Sequence, residues 1–238
     1  MSTQAHPGGP SVTARLVAHD RWRAGVLAEL ALLRPVLRTA AGLGLGVASI
    51  ADPEAVPAGP AEEAGAAAML PHRRREFLAG RLAARRALRA VGLDCGEIPR
   101  AGRLPLFPPG RAASISHSAG VAVAVARAPG RDTPLGCDVE LSPLPAAAAR
   151  LVLREDEEHL LRGAWTVTSL FSAKEAAWKA LRLSPDTDAD ADASSLRDLR
   201  AQPYGDGGLR VALRAAPERA VHVRVAPVGP GVFSYVHE

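Results

Sequence analysis

Lysine is almost missing from this chain. Of its 29 basic residues only Lys174 and Lys179 are lysines, and both lie in one segment, FSAKEAAWKA (171–180), with Glu175 between them. Arginine is a planar fork that stays charged, whereas lysine is a compact point charge whose pKa can move. A sequence that uses arginine nearly everywhere else and keeps lysine here points to a site that touches a pyrophosphate or hands over a proton. The plainer alternative is a solvated helix face, because Glu175 and Lys179 also form an i,i+4 pair.

Other scarcities exclude whole classes. Two cysteines, Cys95 and Cys137, are too few for a disulfide framework, and neither belongs to a CxxC pair; a reducing cytoplasm is expected. Aromatics make up 4% of residues, which argues against basic residues interleaved with stacking rings, so no nucleic-acid partner is expected. No apolar run reaches the length that spans a bilayer, and the N-terminus lacks a basic-then-apolar leader; no membrane partner is expected. What remains is 238 residues, nearly half apolar, with a net charge of +4 and a pI of about 9.7. That suffices for one large domain or two small ones and suits a polyanionic partner.

Along the chain, residues 1–20 are polar and read as a disordered tail. Val26, Leu27, Leu30, Leu33 and Leu37 predict a helix from Trp22 to Leu37, kinked or ended by Pro35. The Gly-rich run 42–46 lacks the Lys-Ser/Thr of a phosphate loop and reads as a flexible turn before a strand. A Pro/Ala/Glu loop is expected over 52–66. A strong helix then runs from Pro71 to Val91, closed by Gly92. Its Arg73 and Arg81 fall about 12 Å apart along the axis and within a quarter-turn, so they could line one wall of an anion pocket. The Pro-rich stretch 102–110 is extended and leads into a short strand, AASISHS. In it Ser114, Ser116, His117 and Ser118 form a candidate phosphate cradle, followed by a buried strand, 121–126.

In the predicted strand LGCDVEL (135–141), Cys137, Val139 and Leu141 point one way and Asp138 and Glu140 the other. Two like charges side by side repel. A hard divalent cation relieves that repulsion, and a few oxygen ligands are what Mg²⁺ takes when a substrate phosphate supplies the rest; a solvated strand face is the alternative. A helix is expected over 144–165, its acidic patch 155–158 solvated. The FSAKEAAWKA helix follows, then an acidic loop, 184–195, then three short strands at 209–213, 220–225 and 232–236.

Four pieces in order, RRREFLAGR (73–81), GRLPLFPPGRAASISHS (102–118), GCDVE (136–140) and FSAKEAAWK (171–179), together resemble the 4′-phosphopantetheinyl transferases of the Sfp type, and the FSAKEA and EFLAGR forms resemble the enterobactin synthase component D subgroup. The resemblance covers roughly residues 65–183. It implies an α+β fold of two similar α/β halves related by a pseudo-twofold, each a helix packed on a mostly antiparallel sheet, with the active site between them. The halves would span 21–133 and 134–238. It also implies transfer of the phosphopantetheine arm of coenzyme A to a serine of an apo acyl or peptidyl carrier protein, of the acidic kind this basic chain would suit, by a cytoplasmic monomer. By motif, Asp138, Glu140 and Glu175 would hold Mg²⁺, with Glu175 as general base. Lys174 and Lys179 would stand near the pyrophosphate, Lys174 as proton donor to the leaving oxygen. Arg73, Arg81, Ser116 and His117, with Arg103 on a looser alignment, would hold the 3′-phosphate and diphosphate end of coenzyme A. Cys137 stands where the family usually has Ile or Val. The rival readings are another Mg²⁺-dependent phosphotransferase or nuclease built on the same carboxylates, and a basic nucleic-acid-binding module.

Overall fold

The computed structural model describes residues 12–102, 104–182 and 194–237. Arg103 and most of the acidic loop 184–195 lie outside them, as do residues 1–11. Helix α1 (Val12–Leu32) opens the described chain, starting inside the stretch read as a tail. A short α2 (Arg34–Val36) has Pro35 in its first turn, and one turn of π-helix (Leu37–Ala41) follows before strand β1 (Leu43–Ser49).

The glycines of β1 are strand residues, not a turn. A Cβ on Gly46 would sit 2.0 Å from the carbonyl oxygen of Ala83, so helix α4 (Pro71–Ala90) rests its backbone directly on this strand. Helix α4 has the expected bounds, with Pro71 in its first turn and Leu78, Leu82 and Leu88 buried beside a row of alanines. Before it, α3 (Pro60–Ala67) occupies part of the stretch expected to be a loop. Its Glu62 is wholly buried and explains why the segment is ordered. Glu62 accepts hydrogen bonds from Arg85 (2.6 Å), Ile98 N (2.8 Å) and Ala58 N (2.9 Å).

A two-stranded ribbon, β2 (Arg100–Ala101) with β3 (Leu104–Pro105), precedes the hairpin β4 (Ala113–Ser118) and β5 (Val121–Arg127). Antiparallel pairing gives a first sheet in the order β1-β5-β4. The alternation of β5 divides two cores. Ala122, Ala124 and Ala126 face α4, while Val121, Val123 and Val125 join a central cluster.

The second sheet is antiparallel in the order β6-β10-β9-β8-β7, made of β6 (Cys137–Glu140), β7 (Leu199–Tyr204), β8 (Gly208–Leu213), β9 (Ala220–Val228) and β10 (Gly231–Val236). Helix α6 (Val167–Arg182) packs on it. Here too a glycine sets the approach, since a Cβ on Gly136 would lie 1.9 Å from the carbonyl oxygen of Ala176. The helix expected over 144–165 is instead broken into 3-10 turns around α5 (Ala149–Val152), with Leu153 extended. The central cluster takes Val26 and Leu30 from α1, Cys137 and Val139 from β6 and Phe233 and Tyr235 from β10, so one core runs under both sheets. No helix among the described residues is long and apolar enough to cross a membrane.

Candidate active site

The two sheets meet where β4 lies beside β6. Residues at every second position of β4 make this seam. Ser114 Oγ accepts from Cys137 N (3.0 Å), Ser116 Oγ donates to Asp138 Oδ1 (2.8 Å), and Ser118 Oγ accepts from Leu141 N (3.1 Å) and donates to Glu140 Oε2 (3.4 Å). The expected alternation of β6 is present. Cys137 and Val139 are wholly buried in the central core, and Asp138 and Glu140 face the other way. His117, being next to Ser116, points away from the seam and is exposed.

Helix α6 delivers the cation to this pair. Lys179 Nζ donates to Asp138 Oδ1 (2.9 Å) and to the carbonyl of Cys137 (3.0 Å). Burial opposes its charge, but Asp138, Cys137 and Glu175 together outweigh that and raise its pKa. One turn earlier, Glu175 is half-buried and its carboxyl is pushed up by burial and by Asp138, against the pull of Lys179. Glu140 is pushed up to about 7, chiefly by burial and then by the charge of Asp138. Three carboxylates therefore share one crease with one ammonium, and burial raises the pKa of two of them, Glu140 and Glu175, above the ordinary carboxylate value.

The cluster holds one buried polar atom with no partner, Asp138 Oδ2. Its Oδ1 receives two donors, so this carboxylate is fixed by one oxygen and left without a partner at the other. An oxygen-only donor set of this kind suits a hard divalent cation. Among the described residues no three His, Cys, Asp or Glu side chains are gathered tightly enough to cage an ion by themselves. The residues fit an ion held by two carboxylates and completed by a substrate's oxygens, as Mg²⁺ prefers.

The remaining expected residues are distributed differently. Arg73 is exposed and pairs with Glu76 (2.8 Å). Both lie near His117, whose pKa is lowered by partial burial and by Arg73 and Lys179, against Glu76. Arg81 does not share that wall. It is buried, with Nε donating to Ile98 O (2.8 Å) and its guanidinium stacked 4.4 Å over the Phe77 ring. Burial lowers its pKa to about 10. Its job in this fold is to fasten the chain entering β2.

Lys174 also departs from expectation. It is wholly buried on another face of α6, donating to Val152 O (2.8 Å), Leu199 O (3.0 Å) and Glu157 (2.9 Å). The reading of Lys174 as proton donor is therefore corrected: an ammonium caged by three acceptors, away from the crease, cannot reach a leaving group there. Its partner Glu157 was read as part of a solvated acidic patch but is buried, also binding Arg214 (2.7 Å) and Ala201 N (2.8 Å). Ser118 is the contributor to the seam that the motif did not single out. Its signal lay in the matching spacings of S-x-S in β4 and D-x-E in β6.

Comparison with known proteins finds similarity over part of this chain. Residues 61–127 match the family described as 4′-phosphopantetheinyl transferase N-terminal domain, a stretch holding Arg73, Arg81, Ser116 and His117. Over that stretch the chain is similar to these transferases. The particular relatives are enterobactin synthase component D of Salmonella typhi and of Salmonella typhimurium, each 37% identical over 118 residues, or 45% of this chain and 48% of the relative. The chain thus spans about half the length of the curated relatives it matches.

Proposed function

We propose that this protein transfers the 4′-phosphopantetheine group of coenzyme A to a serine of an apo carrier protein. The observation that carries the reading is Asp138, held at one oxygen by Ser116 and Lys179 and buried without a partner at the other, beside Glu140 and Glu175. Phosphoryl transfer asks chiefly for positioning and charge neutralisation, and this crease offers both. Asp138 and Glu140, with Glu175 at hand, would hold a magnesium ion, whose chemistry is to offset charge on the coenzyme A diphosphate.

Glu175, its carboxylate made more basic by burial, takes the proton of the acceptor serine. The serine oxygen attacks the phosphorus that bears the pantetheine arm. The bond to the bridging oxygen breaks, and 3′,5′-ADP leaves with the electron pair. Lys179 stands against the developing charge. Arg73 and His117, which lie near one another, would take the 3′-phosphate. The acceptor is an acidic carrier protein, drawn by the chain's positive charge. The architecture is read as two pseudo-symmetric halves, 21–133 and 134–238, working as a monomer.

The test is incubation of the purified chain with coenzyme A, Mg²⁺ and a panel of apo-carrier proteins, read by intact mass. A carrier that gains one phosphopantetheine supports the reading. No gain on any carrier, with phosphate transfer or nucleic-acid cleavage in the absence of coenzyme A, would replace it with the rival phosphotransferase or nuclease.

A further inference from the structure

We infer that Ser116 and Ser118 are positioning residues that aim the carboxylates of Asp138 and Glu140. The inference rests on the proposed function for the identity of the ion. Ser116 is buried, and its hydroxyl is committed to Asp138 Oδ1 at 2.8 Å. Strand alternation places it on the face opposite His117, toward the carboxylates. Ser118 repeats the arrangement one step along, donating to Glu140 Oε2 at 3.4 Å while accepting from Leu141 N. The S-x-S spacing of β4 thus matches the D-x-E spacing of β6, hydroxyl to carboxylate.

The physical need is plain. Asp138 and Glu140 repel one another, and a free carboxylate would turn away from its neighbour or take up a proton. A hydroxyl donor on one oxygen fixes the group's rotation and directs the other oxygen to the ion, as outer contacts do at many metal sites. Ser114 supplies an internal comparison. It occupies the same row of β4 but meets Cys137, its hydroxyl accepting from Cys137 N and its carbonyl from Cys137 Sγ, so it stitches the seam without touching a carboxylate.

The experiment measures Mn²⁺ binding to the full chain with coenzyme A present, from the electron paramagnetic resonance signal of free Mn²⁺, alongside thermal melting. Ser116→Ala is expected to weaken Mn²⁺ binding roughly 10–100-fold, and Ser118→Ala less, because its bond is longer. Ser116→Thr, which keeps the hydroxyl, is expected to restore most of the affinity. Ser114→Ala is expected to lower the melting temperature while leaving Mn²⁺ affinity within about twofold. Wild-type affinity in Ser116→Ala, or an equal loss in all three alanine variants, would overturn the positioning role while leaving the transferase reading intact. A wild-type chain that binds no Mn²⁺ and modifies no carrier would overturn both.

Discussion

Replacing Lys174 by methionine separates a structural lysine from a catalytic one. The ammonium is wholly buried and gives hydrogen bonds to Glu157, Val152 O and Leu199 O. Methionine fills most of the volume but leaves two carbonyls without a donor and Glu157, only 1% exposed, with one cation fewer. Breaking a buried ion pair from one side costs about 3–5 kcal/mol. Arg214 stays on Glu157 at 2.7 Å, so the lower end applies, about 3 kcal/mol. For a chain of this size each kcal/mol shifts the melting temperature by about 2–4 °C, which gives a drop of roughly 6–12 °C. Differential scanning calorimetry measures it. Lys174→Met combined with Glu157→Gln should lose less than the sum of the single changes, because the charge left unpaired by the first is removed by the second. A Lys174→Met protein that melts with the wild type yet has lost turnover would refute the argument and return this lysine to the reaction.

Arg73 and Arg81 should part company in the same way. Arg73→Ala is expected to leave melting unchanged and weaken coenzyme A about ten- to a hundred-fold, the worth of a charge-assisted contact, with little effect on dephospho-coenzyme A; Arg81→Ala should lower the melting temperature. Calorimetric titration showing equal losses for both donors would remove the 3′-phosphate contact. An amine-selective acylating reagent should modify Lys179, 23% exposed, and spare Lys174, 0% exposed, with coenzyme A and Mg²⁺ protecting Lys179; peptide mapping that finds Lys174 modified as fast would contradict its burial. Glu140, raised to about 7 in the folded chain, binds its proton more tightly folded than unfolded. Its contribution to stability is therefore full below the ordinary carboxylate pKa and is lost as pH rises through 7. The ion-free protein should melt lower at pH 8 than at pH 5, and Glu140→Gln should flatten that decline; an unchanged slope in the variant would assign it to another group.

The elements legible in the sequence were those whose residues answer to one local rule. The helix α4 from Pro71, the two-faced alternation of β6 and the presence of helix α6 stand as read. The misreadings share a cause, which is a partner distant in the chain. Gly44 and Gly46 looked like a turn because only the arrival of α4 explains a strand without side chains there. Glu62 was read as part of a loop and Glu157 as solvated because their cations, Arg85 and the pair Lys174 and Arg214, lie 17 to 57 residues away. Strand β7 was passed over because Pro203 interrupts it, which an edge strand tolerates. The scarcity of lysine drew attention to the right helix but could not separate a lysine that faces the crease from one that anchors the helix.

The alternation of β6 works as a lock with two faces. Sliding the strand by a single residue would exchange its whole set of side chains. Asp138 and Glu140 would enter the central core against Phe233 and Val123, and Cys137 and Val139 would face Lys179. No intermediate register satisfies either side. Packing the interior and presenting the carboxylates are thus one event, so a molecule that has closed its core cannot be one that has misplaced its acids.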